Sequence, residues 1–226
     1  MGITIALDGP AGSGKSTTAR MVAEQLGYIY IDTGAMYRAV TLAALRRGIE
    51  LTNLSLQVLV QTIYIQLEQS QTGQRTLLDG EDVSREIRMP EVTRLVSKVS
   101  AVPAVREAMV KEQRRIGKNG GVVMDGRDIG TVVFPEAELK VFMTASIEER
   151  AQRRTNELLT KGIKAVPEEI AQELLKRDEL DSGREVSPLV QAADARLLDT
   201  SSLSMEEQAN IITGWAKEII YSKLID

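Results

Sequence analysis

One eight-residue run near the start of the chain constrains the fold more than any other feature: Gly9-Pro10-Ala11-Gly12-Ser13-Gly14-Lys15-Ser16. It matches the pattern Gly-x-x-x-x-Gly-Lys-Ser/Thr of phosphate-binding loops. The segment before it, residues 3–8, is short, β-branched and apolar, which is typical of a buried parallel strand. After it, apolar residues recur at helical spacing until Gly27, a typical helix stop. The sequence therefore predicts a strand, a glycine-rich turn and a helix in direct succession.

In a loop of this kind, glycines let successive backbone N–H groups point at phosphate oxygens, and the helix N-terminus adds positive potential. We expect the ammonium of Lys15 to reach the β- and γ-phosphates, and the hydroxyl of Ser16 to ligate Mg²⁺. A chance glycine turn is the alternative, but the correct flanks on both sides argue against it. The sequence thus predicts that a nucleoside triphosphate binds at these residues: Gly9, Pro10, Ala11, Gly12, Ser13, Gly14, Lys15, Ser16 and Thr17.

The chain of 226 residues contains no cysteine and no histidine, and its formal net charge is −4. Without cysteine there is no disulfide framework, and without histidine catalysis cannot use an imidazole base. The acidic balance argues against a dedicated nucleic-acid binder, which usually carries a basic surplus. No apolar run approaches the roughly 20 residues that span a membrane. We therefore expect a cytoplasmic monomer that binds neither nucleic acid nor membrane.

Five segments have the composition of buried strands, and helical patterns separate them: residues 3–8, 28–32, 122–125, 139–143 and 196–199. This alternation predicts an α/β fold whose parallel sheet is covered by helices on both faces. Ser146 and Glu149 have the spacing of a capping box at a helix start. Ser204 and Glu207 have the same spacing and open a long helix that runs towards Leu224.

Two regions interrupt the alternation. Between about residues 53 and 87, segments 64–67 and 76–78 have the pattern of short strands, which predicts a small antiparallel insertion. A polar, arginine-rich region runs from residue 150 to residue 184 and contains the lid candidates Arg150, Arg153 and Arg154. A solvated helix face is the ordinary alternative for these three arginines. We expect both regions to be mobile flaps over the nucleotide site.

The second predicted strand ends in Asp32-Thr33-Gly34-Ala35-Met36-Tyr37-Arg38. These polar groups come at the carboxyl end of a parallel strand, where ligands bind in open α/β sheets. Asp32 and Thr33 fit equally well as a cap of the next helix. Arg38 lies one turn into that helix, and we expect it to hold an anionic acceptor.

The third predicted strand ends in Asp125-Gly126-Arg127-Asp128. An apolar strand that ends in aspartate supports Mg²⁺ in many phosphate-loop proteins. An ordinary loop between a strand and a helix is the alternative, but an arginine flanked by two aspartates at this edge favours a site. We expect Arg127 to clamp phosphate with two hydrogen bonds, and the carboxylates to hold it or the metal.

Arg177 and Asp181 are four residues apart, which places them on one face of a helix, and Arg184 follows one turn further or just past the helix end. A solvated, salt-bridged surface explains this spacing as well as a site does. These arginines follow the third predicted strand, where a lid would lie, and this favours a functional site, because phosphoryl transfer needs several cations around the transferred group.

Together these motifs resemble those of the nucleoside monophosphate kinases, and most closely the bacterial-type cytidylate kinases. The match runs over nearly the full length and includes residues 9–16, 32–38, the insertion that ends near residues 87–88, residues 97, 103–106, 125–135, 177–184 and 198–199. The runs 32–38 and 125–131 distinguish this family, since the phosphate loop alone occurs in many families. Thr33 stands where some relatives have serine, which keeps the hydroxyl.

The resemblance implies a single domain, residues 1–226, with a five-stranded parallel core, a monophosphate-binding insertion at 53–100 and a short helical lid at 150–184. It implies transfer of the γ-phosphoryl group of ATP, with Mg²⁺, to CMP or dCMP. Arg38 and Arg127 would hold the acceptor phosphate. The cytosine would be surrounded by Thr33, Ser97, Arg106, Asp128 and Arg184. Arg177 and Asp181 would lie near the ribose or the transferred phosphoryl group, and the catalytic residues would be Lys15, Arg127 and Arg177.

A monophosphate acceptor is already anionic, so this chemistry needs no general base, which agrees with the lack of histidine. One alternative is a P-loop kinase for UMP, shikimate or a coenzyme precursor; where the acceptor is a neutral hydroxyl, Asp32 could activate it. Another is a regulatory or nucleic-acid-linked NTPase, against which the acidic balance speaks. For the base, we expect the carboxylate of Asp128 to accept from the amino group of cytosine and to repel the carbonyl of uracil.

Overall fold

Two β-sheets and the helices around them make up the protein in this computed structural model, which describes residues 2–70, 73–160 and 162–225. The strands are β1 Thr4–Asp8, β2 Ile29–Asp32, β3 Ile65–Ser70, β4 Gly73–Leu78, β5 Glu81–Asp82, β6 Val122–Asp125, β7 Leu139–Thr144 and β8 Arg196–Asp199. The helices are α1 Lys15–Leu26, α2 Thr33–Arg46, α3 Asn53–Val60, α4 Pro90–Ser100, α5 Pro103–Gly117, α6 Ile147–Thr160, α7 Pro167–Ser182 and α8 Met205–Ile225. A 3₁₀ turn, Glu86–Arg88, and a π-helical turn, Ile129–Val133, complete the described elements.

The larger sheet has five parallel strands in the order β2-β6-β1-β7-β8, which confirms the predicted strands to within one residue at each end. Strand β1 is central and all of its residues are buried, because neighbouring strands and helices cover it on every side. In the register, Leu7 of β1 lies beside Asp125 of β6, and Asp125 lies beside Asp32 of β2. The carboxyl ends of three strands therefore meet at one edge, next to the loop that follows β1.

The helix ends follow the sequence signals with one exception. Ser204 and Glu207 form the complete capping box: the Glu207 N–H donates to Ser204 Oγ at 3.2 Å, and the Ser204 N–H donates to Glu207 Oε2 at 2.8 Å. At the start of α6, the Glu149 N–H donates to Ser146 Oγ at 3.2 Å. The Ser146 N–H, however, donates to Ser201 Oγ at 2.9 Å, so the reciprocal half of this predicted box does not form.

The strands of the insertion are longer than the predicted segments 64–67 and 76–78. Strands β3 and β4 pair along six residues each, from Ile65 opposite Leu78 to Ser70 opposite Gly73, and the short strand β5 joins them. Its apolar side chains pack on α2, α3, α4 and α5 in a cluster that includes Leu56 and Ile87. A different cluster fills the face of the parallel sheet under α1 and α8. The insertion thus shares its core with α2 and α5, and its strands are also tied to the parallel sheet, since Gln69 donates to the Tyr30 carbonyl at 2.8 Å and Gln74 accepts from the Asp32 N–H at 2.9 Å.

None of the helices in the described part of the chain is long and apolar enough to cross a membrane.

Candidate active site

A cleft of about 440 Å³ lies at the carboxyl ends of β1, β2 and β6. Its walls come from the phosphate loop, from the start of α2, from the loop after β6, and from helices α4 to α7. The three runs that the sequence singled out at residues 9–16, 32–38 and 125–128 thus open into one cavity. A second cavity of about 600 Å³ adjoins it between α4, α6 and α7, and the two share Arg88 and Arg177.

The phosphate loop is shaped by close backbone contacts. Gly9 has a φ of +144°, and a Cβ at this position would lie 2.0 Å from the carbonyl oxygen of Met143. Only glycine fits there, because any side chain would push the loop off the sheet. Lys15, at the start of α1, is buried, and its ammonium donates to the Pro10 carbonyl at 2.6 Å and to Ser13 Oγ at 3.2 Å.

The surroundings of Lys15 disfavour its positive charge. Burial lowers the pKa of Lys15 well below its ordinary value, and the nearby cations of Arg127 and Arg177 act in the same direction. Asp125 and Asp8 partly oppose this shift. An anion that enters the cleft restores the balance, because it favours the protonated ammonium. The arrangement is therefore suited to binding a polyanion.

Two side chains with oxygen atoms suited to a metal ion, those of Ser16 and Asp125, lie next to each other at the phosphate loop. Ser16 Oγ donates to Asp125 Oδ2 at 2.7 Å, and the Tyr30 hydroxyl donates to Asp125 Oδ1 at 2.9 Å. Burial raises the pKa of Asp125, with a further contribution from Asp32. A hydroxyl and a carboxylate at this separation are the hard oxygen donors that Mg²⁺ prefers. Tyr30 is not among the predicted site residues, because an aromatic residue in a buried strand has the pattern of a core residue.

Asp32 is both a helix cap and part of the cleft, so both interpretations of this residue hold. Its Oδ1 accepts from the Ala35 N–H at 3.0 Å, and its Oδ2 pairs with Arg38 at 2.8 Å and with Arg88 at 3.0 Å. Burial alone would raise the pKa of Asp32, but Arg38 and Arg88 outweigh burial and lower it. Arg88, from the end of the insertion, was not among the predicted site residues.

Asp181 joins three arginines. Its side chain is 1% exposed, its Oδ2 lies 2.8 Å from Nε of Arg127 and 4.0 Å from Nε of Arg177, and its Oδ1 pairs with Arg184. Burial alone would raise the pKa of Asp181, but Arg127, Arg184 and Arg177 together lower it. Arg184 lies just past the end of α7, as the spacing allowed. This corner of the cleft is thus a buried cluster with more positive than negative charge.

Asp128 is held in a buried ion pair with Arg106, and both side chains are less than 5% exposed. The guanidinium of Arg106 also lies 5.3 Å from the ring centre of Tyr37 and donates to the Ser100 carbonyl at 3.1 Å. The pair lines the cleft between the loop after β6 and helix α5. A carboxylate and a guanidinium side by side offer an acceptor and donors to a planar polar ligand.

Thr33 and Ser97, the two hydroxyl residues predicted to contact the acceptor, line different cavities. Thr33 lines the cleft, but its Oγ1 donates to the Asp125 carbonyl at 2.7 Å and so ties α2 to β6. Ser97 lines the adjoining cavity, whereas Ser100, one turn later on α4, lines the cleft. Ser100 Oγ accepts from Arg184 at 3.1 Å.

The three lid arginines separate into two groups. Arg153 and Arg154 line the cleft. Arg150 is buried instead, and it donates to the Ala11 carbonyl at 3.1 Å and to Asp178 Oδ2 at 2.5 Å. Arg150 therefore supports the phosphate loop from the side of α6 and links it to α7.

The fold and the cleft place the chain among the P-loop kinases, in which the loop after the first strand binds donor phosphates and cations from other segments face the acceptor. Comparison with known proteins narrows this class. A family model described as cytidylate kinase matches residues 5–218. The cytidylate kinase of Bacillus thuringiensis strain Al Hakam is 52% identical over 213 residues, which cover 94% of this chain and 95% of that protein. The chain belongs to the cytidylate kinase family, which confirms the resemblance seen in residues 32–38 and 125–131.

Solved structures with low sequence identity share the fold. A gluconokinase from Sinorhizobium meliloti 1021 aligns with a TM-score of 0.50 at 14% identity, over 99% of this chain and 96% of that one. An uncharacterized protein from Eubacterium ventriosum ATCC 27560 aligns with a TM-score of 0.53 at 9% identity, over 96% and 99% of the two chains. At such identities the likeness concerns the fold alone.

Proposed function

We propose that the protein transfers the γ-phosphoryl group of ATP to CMP or dCMP and releases ADP with CDP or dCDP. The observation that carries this proposal is the single cleft in which Lys15 of the phosphate loop faces Arg38, Arg127 and the Asp128–Arg106 pair. The family membership supports the same activity, since the similar Bacillus protein is described as a cytidylate kinase.

On the donor side, ATP would bind along residues 9–17, where backbone N–H groups and the start of α1 face its phosphates. The ammonium of Lys15 would exchange the Pro10 carbonyl for β- and γ-phosphate oxygens. Ser16 and Asp125 are the residues that would hold Mg²⁺, which, when bound, neutralises charge on the β- and γ-phosphates.

On the acceptor side, Arg38 and Arg127 would bind the monophosphate, each in place of a carboxylate partner that it has now. The acceptor-binding set that we propose is the one expected from the resemblance: Thr33, Arg38, Ser97, Arg106, Arg127, Asp128, Arg177, Asp181 and Arg184. Asp128 would accept a hydrogen bond from the amino group of cytosine. All of these residues come from one chain, and we propose that a monomer is active.

The catalytic work would be electrostatic. The acceptor oxygen is anionic and needs no base, so the protein has to align two mutually repelling phosphates and neutralise charge during transfer. We propose Lys15, Arg127 and Arg177 for this role, which is supported by their common position in the lining of the cleft. The region 150–184 would close as a lid and exclude water, and the insertion at 53–100 would move with the acceptor.

A kinase for a neutral hydroxyl acceptor would need a base, and Asp32 was the candidate. Asp32 is instead occupied by two arginines and a helix N–H, and its pKa is lowered. A carboxylate held in this way is a weak base. The geometry therefore favours an anionic acceptor over shikimate or a similar alcohol.

The test is a coupled assay of ADP release with ATP and Mg²⁺ against CMP, dCMP, UMP, AMP, GMP and shikimate. We expect the fastest turnover with CMP and dCMP. Turnover confined to another acceptor would overturn the proposed acceptor site while leaving the phosphate loop in place. Fast ADP release without any acceptor would instead favour an NTPase.

A further inference from the structure

Asp8 is the last residue of β1 and immediately precedes the phosphate loop, and none of the roles described above uses it. Its carboxyl group is buried, and each of its oxygens accepts one backbone N–H: Oδ1 from Ile129 at 2.8 Å and Oδ2 from Gly130 at 2.7 Å. These two N–H groups open the π-helical turn that follows Asp128. Asp8 therefore holds the start of that turn against the strand that carries the phosphate loop.

The other end of the same short segment is tied to β1 as well. The Gly126 N–H donates to the Leu7 carbonyl at 2.9 Å. The two residues between these anchors are Arg127 and Asp128, which the proposed function places on the acceptor phosphate and the cytosine. A two-residue segment fixed at both ends has little freedom, so the direction of both side chains depends on the anchors.

The close approach of the turn to the sheet depends on its sequence. A Cβ at Gly130 would lie 3.1 Å from Cδ of Lys140 and 3.4 Å from Oδ2 of Asp8. Lys140 is itself fixed, because its ammonium donates to Asp194 and to the Pro135 carbonyl. A side chain at position 130 would therefore crowd Lys140, so that either this lysine or the turn held by Asp8 has to shift by a few tenths of an ångström.

Keeping a carboxylate here has a cost, which argues for a role beyond packing. Burial raises the pKa of Asp8 to about 6, and the charge of Asp128 adds to this, whereas the two N–H bonds and the charge of Lys15 lower it. At neutral pH the group is ionised and can only accept hydrogen bonds, which matches two N–H donors.

We propose that Asp8 is a positioning residue for the acceptor: its carboxylate fixes the loop that carries Arg127 and Asp128 in register with the phosphate loop. Asp8 touches neither substrate. It acts through the backbone of residues 129 and 130, and it sets the distance between the two phosphates that have to react. This inference rests on the proposed function for the assignment of Arg127 and Asp128 to the acceptor.

The test compares Asp8→Asn with the wild-type enzyme in steady-state kinetics. The amide keeps one acceptor oxygen and turns an N–H group towards a backbone N–H, so one bond to a charged group is lost. We expect the KM for CMP to rise about tenfold or more, while the KM for ATP stays within about twofold. Glu207→Gln is the matched control, since Glu207 also accepts a backbone N–H at a helix start, and both KM values should stay within about twofold.

A second measurement tests the contact without turnover. In the wild-type protein, the backbone amide NMR signals of Ile129 and Gly130 should titrate with a midpoint near the Asp8 pKa of about 6, and Asp8→Asn should remove this midpoint. If Asp8→Asn does not fold, Gly130→Ala tests the same clamp from the other side and should give the same selective rise in the KM for CMP.

The inference is overturned if both KM values rise together or if neither changes in a folded variant. It is also overturned if the two amides titrate identically in Asp8→Asn. A wild-type enzyme that does not use CMP would contradict the proposed function instead, and the amide titration would still decide whether Asp8 forms the clamp.

Discussion

The phosphate loop of the proposed donor side is one contiguous run of residues, whereas the proposed acceptor side takes its charged groups from segments far apart in the chain. On the donor side, Lys15 makes its contacts with residues two and five positions away. On the acceptor side, Arg127 and Asp181 are 54 residues apart and Arg106 and Asp128 are 22 apart. The phosphate-facing groups of the first side are thus neighbours in the chain, although Arg150 and Asp125 contact the loop from elsewhere, whereas the charged groups of the second side come together only through the fold.

The two sides also differ in what a ligand must displace. In the proposed complex, donor phosphates would replace a carbonyl contact and a hydroxyl contact of Lys15, whereas the acceptor would compete with the carboxylates that pair with Arg38 and Arg127. Exchange of one ion pair for another gives little net affinity but rewards correct geometry. We therefore expect the donor side to set the rate of transfer and the acceptor side to set selectivity.

Loss of the donor-side cation should have the largest effect. Lys15→Met removes the ammonium that faces the transferred group, and kcat should fall by about 10²–10³, as on removal of a preorganised charge-stabilising donor. Lys217→Met on the exposed face of α8 is the control and should leave kcat unchanged. A fall of less than about threefold for Lys15→Met would show that the loop backbone alone stabilises the transferred charge.

The next largest effect should come from Asp181, which organises the acceptor side. Asp181→Asn keeps the shape but removes the charge that orients Arg127 and Arg184. It also removes a competitor of the acceptor phosphate for Arg127, but we expect the loss of orientation of two arginines to outweigh this, so that the KM for CMP rises about 30-fold or more. The exposed neighbour Glu179→Gln should change neither KM. An equal rise in the KM for ATP would mean that Asp181 supports binding of both substrates, which would contradict the separation between donor and acceptor sides.

A change at Asp128 should alter selectivity more than rate. Asp128→Ala removes the acceptor proposed for the cytosine amino group, and the ratio of kcat/KM for CMP to that for UMP should narrow by about tenfold, as for one mismatched buried polar contact. The side chain also neutralises Arg106, so total activity should fall too. If activity falls while the ratio is unchanged, Asp128 holds the structure and does not choose the base.

The smallest effect should come from Tyr30, which touches Asp125 behind the donor site. Tyr30→Phe removes one hydrogen bond to that carboxylate, so the Mg²⁺ concentration for half-maximal activity should rise about threefold to tenfold. The titration of ATP-analogue binding by Mg²⁺ should shift equally, and Tyr221→Phe, which is exposed, should shift neither. An unchanged Mg²⁺ requirement would show that the hydrogen bond from Tyr30 does not support metal binding at Asp125.

The contrast between the two sides also explains what could be predicted from the sequence. The phosphate loop, its flanking strand and the helix stop at Gly27 could all be predicted from the sequence, because each depends on neighbouring residues. The runs at 32–38 and 125–128 could be placed at one edge, because carboxyl ends of parallel strands meet there.

Partners across the fold could not be predicted in this way. Spacing suggested Arg150 for the lid, but the packing of α6 on the loop buries it against Ala11. Asp8 had only the pattern of a strand end, and its two N–H partners come from a turn about 120 residues later. Only half of the predicted capping box forms at Ser146, because its N–H donates to Ser201, from the loop after β8, and not to Glu149.

The most direct measurement follows arginine side-chain NMR signals during separate titrations with CMP and with a non-hydrolysable ATP analogue. We predict that CMP alone shifts the guanidinium signals of Arg38, as the acceptor phosphate displaces Asp32 from Nη2 of this arginine, and leaves those of Arg150 behind the phosphate loop unchanged. The ATP analogue should do the reverse. A signal of Arg38 that ignores CMP, or that responds only to the ATP analogue, would contradict the proposed acceptor site.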